Sequence, residues 1–114
     1  WEAIMSASFW KLTNLCLIVD CNDMQVEGDI NQVISLEPLE DKFKSFGWNT
    51  ITCNGNDVLD LLTSFNKAVE SKFKPSVILA KTLVGKGVPF LEGQLSHNLV
   101  FPEHIAIKAL KFFN

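Results

Sequence analysis

Apolar positions along this chain recur with two different periods, and the switches between them mark its elements. From Trp1 to about Leu12, Trp1, Met5, Phe9 and Leu12 return at spacings near four, which predicts a helix. Ile4, Ala7 and Trp10 leave its other side apolar too, as on a helix covered on more than one face. Residues 15–20 form a continuous apolar run, typical of a strand buried on both faces. A polar loop closing on Gly28 follows. Ser35 is placed to cap a second helix running to about Phe46, with Leu36, Leu39, Phe43 and Phe46 as its inner stripe. Its acidic residues come early, its lysines late, and Gly47 stops it. Residues 48–53, rich in β-branched side chains, predict a second strand. Asn54-Gly55-Asn56-Asp57 then turns the chain and caps a helix carrying Val58, Leu61, Leu62, Phe65 and Val69 on one face. A third strand at 76–81, a glycine-rich loop reaching to about Val100, and a last helix from about Pro102 to Phe113 complete the order.

Helices alternating with strands at these lengths predict an α/β fold: a parallel sheet with flanking helices and right-handed crossovers. Three strands make a narrow sheet with both faces wanting cover, so 114 residues are expected to form part of a domain. Composition is that of ordinary globular material, with no apolar run near the roughly 20 residues that cross a bilayer. The stretch beginning at Trp1 has no basic cluster or small-residue cleavage site, so no signal peptide is expected. A net charge of −3 without a basic stripe argues against nucleic acid. All ten basic residues are lysines, which removes the bidentate arginine clamp. A phosphate site here must therefore use backbone amides, lysine or a metal. Cys16, Cys21 and Cys53 lack Cys-x-x-Cys spacing, and two of them lie within or beside predicted strands, where small buried thiols are common; a structural role in a reducing, cytoplasmic setting is expected.

Candidate chemistry gathers after the first strand, where loops at strand ends carry ligands in parallel sheets. Asn22 offers an amide oxygen and Met24, two residues on, a main-chain carbonyl; such a pair suits a hard cation, Mg²⁺ or Ca²⁺. The same Asp-x-Asn pattern also makes plain turns. Gly85-Lys86-Gly87 lacks the spaced glycine and the Ser or Thr of a phosphate loop. His104 is expected on the surface of the last helix.

In this order the chain resembles the N-terminal, diphosphate-binding half of transketolase. The resemblance rests on Trp1-Glu2-Ala3, Lys11-Leu12-x-Asn14-Leu15, the block from Ile18 to Gly28, Phe46-Gly47-Trp48, Asn54-Gly55-Asn56-Asp57, the block from Lys81 to Val88, and His97. Ser35-Leu36-Glu37-Pro38-Leu39 looks most like the split, two-subunit bacterial type. The resemblance implies a partial, Rossmann-like thiamine diphosphate-binding domain over residues 1–114. It implies that Asn22 and Met24 hold the divalent cation anchoring that cofactor, and that Val26 packs on its thiazolium ring. It further implies His97 near diphosphate and substrate, assisting proton transfer, and Glu2 near a subunit interface on a proton path between paired sites. The implied reaction moves a two-carbon ketol unit from a ketose phosphate to an aldose phosphate in the pentose phosphate pathway. A pyrimidine-binding half, in a dimer or heterotetramer, would be the partner.

The sequence also departs from the family. The Gly-Asp-Gly motif that supplies the metal's carboxylate would lie upstream of Trp1, so this segment alone is expected to be inactive. Ser96-His97-Asn98 stands for tryptophan-histidine-glycine, and Asn56 for a histidine. An inactive remnant or interaction module is the alternative of a different class. Neighbouring enzymes, a 1-deoxyxylulose-5-phosphate synthase or a pyruvate dehydrogenase alpha subunit, fit residues 35–39 and 81–88 less well.

Overall fold

The structure, a computed structural model, describes residues 1–96 and 100–113. In chain order its elements are α1 (Glu2–Phe9), β1 (Cys16–Cys21), β2 (Met24–Gln25), β3 (Gly28–Asp29), α2 (Ile30–Val33), α3 (Leu39–Ser45), β4 (Asn49–Asn54), α4 (Val58–Glu70), β5 (Ser76–Lys81) and α5 (Glu103–Leu110). They fall into two compact units. One comprises Trp1–Cys21 and Leu36–Thr82; the other comprises Asn22–Ser35 and the chain from Leu83 onward.

The first unit is the expected parallel sheet, ordered β1-β5-β4. Ile18, Ile78 and Ile51 stand side by side in register. Side chains in register share a face, and successive ones alternate. Leu17, Val19, Val77 and Leu79 therefore face α1 and α3, in a core with Ala7, Leu39, Phe43 and Trp48. Ile51, Cys53, Ile78 and Ala80 face α4, under Leu61 and Ala68. The Trp48 indole N–H donates to the Ile4 carbonyl at 2.9 Å, tying β4 to α1. Central β5 is buried from Ser76 to Ala80, as its apolar run requires.

Three expectations are corrected. The first strand is not buried on both faces: Cys16, Ile18 and Asp20 are exposed, because β1 is an edge strand and α4 lies over β4 and β5. Ser35 does not cap the second helix. Pro38 holds an extended ψ of 101°, so α3 starts at Leu39, whose N–H is received by the Glu37 carboxylate at 2.9 Å. On α4 the inward residues are Leu61, Ser64 and Ala68, whereas Val58, Leu62, Phe65 and Val69 are exposed. Small residues let the helix lie close to the sheet. The Ser64 hydroxyl, buried there, donates to the Asp60 carbonyl within the helix.

The helix ends show what the sequence did and did not announce. Gly47, at φ 86°, closes α3 with its N–H on the Lys44 carbonyl and the Trp48 N–H on that of Phe43. This is the Schellman arrangement its glycine predicts. Lys11, at φ 53°, closes α1 in the same way, which explains why that helix stops at Phe9. Asp57 caps α4 as expected, accepting from Leu59 and Asp60.

Gly55 lies flat against β5, donating to the Lys81 carbonyl at 2.7 Å. A Cβ there would stand 2.5 Å from the Thr82 methyl and 2.9 Å from the Ala80 Cβ. Gly55→Ala should therefore cost about 1–3 kcal/mol, the range for overpacking a tight site. Urea unfolding of the two proteins measures it, and equal midpoints would contradict the reading.

Candidate functional site

The second unit folds the loop after β1 back on itself. The Asn22 side-chain oxygen accepts the Met24 N–H at 2.9 Å, an Asx turn around Asp23, whose φ is 59°. Asp and Asn tolerate that left-handed conformation better than most residues. The Asp23 carbonyl then accepts from Ile30 at 2.9 Å. Between these ties β2 and β3 pair antiparallel, Met24 with Asp29 and Gln25 with Gly28, leaving Val26 and Glu27 at the tip. Asp29 accepts the Asn31 N–H and starts the short α2.

The glycine-rich stretch is folded just as locally. Gly85 sits at φ 71°, and a Cβ there would meet the Leu91 carbonyl oxygen at 2.5 Å. The Gly93 N–H reaches the Val84 carbonyl at 2.9 Å. Glu92 accepts from the Gly87 N–H at 3.2 Å and pairs with Lys86 at 3.4 Å. Lys86 is thus engaged within its own loop.

These two stretches enclose a half-open cavity of about 220 Å³. Asn22, Gln25, Gln94 and Ser96 give it polar walls; Met24, Val26, Val84 and Leu95 give it apolar ones. Among the described residues none of these side chains is ionisable, and a cation or backbone dipoles would balance the charge of a phosphate held among them. The donor set suits a hard cation in kind, being neutral oxygen rather than sulfur or imidazole. An amide oxygen has two lone pairs, so Asn22 can serve both turn and cation. Among the described residues no cluster of three His, Cys, Asp or Glu could hold a metal. The apolar walls match the face of a small aromatic ring. The residues present therefore fit a ring-bearing diphosphate with its cation, given further cation ligands.

Of the residues singled out from sequence, Asn22, Met24 and Val26 meet around this one cavity. Glu2 stands in the first unit, its side chain 93% exposed and 3.4 Å from the Trp1 amino group. His97 lies outside the described residues. His104 is exposed, as expected. The sequence reasoning missed Gln25, Val84, Gln94, Leu95 and Ser96. Gln25 could have been found by its position between Met24 and Val26, and Ser96 by its place beside His97.

One pH dependence follows for this loop. The Gly87 N–H, and then Lys86, hold the Glu92 carboxyl below the ordinary carboxylate value. Its contribution is full above the unfolded value and is lost as pH falls through the lowered folded one. The Gly87 amide resonance should therefore titrate with Glu92 below the value for free glutamate, and Glu92→Gln should abolish that step. A titration at the free value would contradict the contact.

Comparison with known proteins gives the family. The family model described as "Transketolase, thiamine diphosphate binding domain" matches residues 1–102. The chain is 39% identical over 106 residues to the 6-deoxy-6-sulfo-D-fructose transketolase subunit of a Clostridium species, covering 92% of this chain and 38% of that protein. It is 36% identical over 93 residues to an apulose-4-phosphate transketolase subunit of Phocaeicola vulgatus, covering 82% and 33%. Among solved structures, transketolase from Campylobacter jejuni superposes with a TM-score of 0.88 at 32% identity, over 96% of this chain and 17% of that one. The fold is that of a thiamine diphosphate-binding domain. The chain belongs to the transketolase family, in its N-terminal part, and resembles the split-subunit bacterial type. It spans about a third of the length of the two curated subunits it matches. No described helix is long and apolar enough to cross a membrane.

Proposed function

We propose that this chain is the diphosphate-holding part of a transketolase that passes a two-carbon ketol unit from a ketose phosphate to an aldose phosphate. The observation that carries it is the meeting of Asn22, Met24 and Val26 around one cavity. Asn22 Oδ1 and the Met24 carbonyl hold Mg²⁺ or Ca²⁺, and Val26 packs against the cofactor's ring. Bound thiamine diphosphate supplies the carbanion that accepts and releases the ketol unit. His97 moves a proton beside the substrate, and Glu2 belongs to a proton path at a subunit interface. A carboxylate ligand comes from outside residues 1–114, and the pyrimidine end is held by a partner half in a dimeric or heterotetrameric assembly. The site works in the cytoplasm, within pentose phosphate metabolism.

The alternative reading is an inactive remnant. Ketol transfer by the gene's complete polypeptide, assayed with its partner half, separates the two. Turnover that needs Mg²⁺ and thiamine diphosphate supports the enzyme, and its absence supports the remnant. Residues 1–114 alone should show no transfer; robust turnover by them would refute the division of labour.

A further inference from the structure

Two strands of the first unit lead directly into the second. β1 gives way to Asn22 after Cys21, and β5 to Leu83 one residue after its end, at Thr82. Residues that line the cavity follow at once, Asn22 and Met24 on the first stretch, Val84 on the second. Just before both exits the two strand ends are fastened to each other. The Thr82 hydroxyl donates to the Asp20 carboxylate, and the Thr82 N–H to the Cys21 carbonyl at 3.3 Å. That backbone bond is at the long end of the normal range. The side-chain bond, whose acceptor is a carboxylate, is the stronger tie.

The other branch of Thr82 holds the side chain in place. Its methyl packs where Gly55 has no side chain, since a Cβ on Gly55 would stand 2.5 Å from it. Gly55 is fixed in turn by its N–H on the Lys81 carbonyl at 2.7 Å. A β-branched residue has few χ1 states, so seating the methyl aims the hydroxyl. Serine would carry the hydroxyl without the seat, and valine the seat without the hydroxyl.

We propose that Thr82 and Asp20 are positioning residues for the cation site, their bond holding the end of β1 so that Asn22 and Met24 present their oxygens at a fixed place. The inference rests on the proposed function, in which those two oxygens hold the cation. Neither Thr82 nor Asp20 is among the residues lining the cavity, so any effect on a ligand passes along the chain from Cys21. Asp20 precedes the first of the two oxygens by only two residues, and a shift at that root displaces both. Mg²⁺ tolerates such a shift poorly, because it demands near-ideal octahedral geometry, whereas Ca²⁺ accepts flexible coordination.

That difference supplies the test, a calorimetric titration of thiamine diphosphate into the complete polypeptide, once with Mg²⁺ and once with Ca²⁺. Thr82→Val should weaken Mg²⁺-supported binding about tenfold and Ca²⁺-supported binding by less than about threefold. Thr82→Ser should recover most of the Mg²⁺ loss. Equal losses with the two ions would make Thr82 a packing residue and overturn the inference. A serine variant as weak as the valine one would deny the hydroxyl its role and overturn it too. If circular dichroism shows the valine variant unfolded, Asp20→Ala removes the acceptor instead and is read by the same comparison. Wild-type protein that binds no cofactor with either ion overturns the proposed function, and this inference with it. Wild-type binding with an unaffected variant overturns the inference alone.

Discussion

Phe43→Ala is expected to lower the stability of the sheet unit by about 3–5 kcal/mol, the usual cost of removing a buried phenyl ring. Phe43 is 2% exposed in the core under α1 and α3. Its ring meets Trp48 edge-on at 5.7 Å and Trp1 at 5.9 Å, so truncation removes apolar burial and two aromatic contacts together. Against a typical total of about 5–15 kcal/mol for a whole domain, the loss is large. Phe43→Leu keeps most of the volume and should cost clearly less. Urea unfolding followed by tryptophan fluorescence reports both, and a loss under about 1 kcal/mol for the alanine variant would mean that the ring is not in the core.

Asn22→Ala carries the largest expected effect on the site. It removes the acceptor of the Met24 N–H, worth about 1 kcal/mol to the turn. Under the proposed function it also removes a cation ligand. Affinity for thiamine diphosphate with Mg²⁺ should then fall by roughly tenfold to a hundredfold, at least the range seen when outer-shell partners of metal sites are lost. Asn22→Asp keeps an oxygen at both tasks and should recover most of that affinity. Calorimetric titration of the complete polypeptide compares the three. Equal affinity in the alanine variant would leave Asn22 as a turn residue only.

Much of this was legible before any coordinates. The apolar run at 76–81 gave the central strand, Asp57 a helix cap, and Gly47 a helix end, because each of those signals acts locally. The polar tip from Asn22 onward was legible as a loop at the end of the first strand, although the β2 and β3 pairing inside it was not. Two-residue strands carry no period to detect. The end of α1 escaped notice because a lysine, not a glycine, takes the left-handed position. The face of α4 was misjudged for a different reason. Leu62, Phe65 and Val69 are the more hydrophobic stripe, yet close approach to the sheet is made by Ser64 and Ala68. Periodicity finds an apolar face without saying which neighbour it serves.

Under the proposed function, the hairpin after β1 would hold the cation that accompanies the cofactor's diphosphate. Thiamine diphosphate titrated into the complete polypeptide, with and without Mg²⁺ and followed through backbone amide resonances, tests it most directly. The account predicts Mg²⁺-dependent shifts at Met24, Gln25 and Val26, joined by Gln94, Leu95 and Ser96. Binding that leaves those amides unmoved, or that proceeds equally well without the metal, would contradict it.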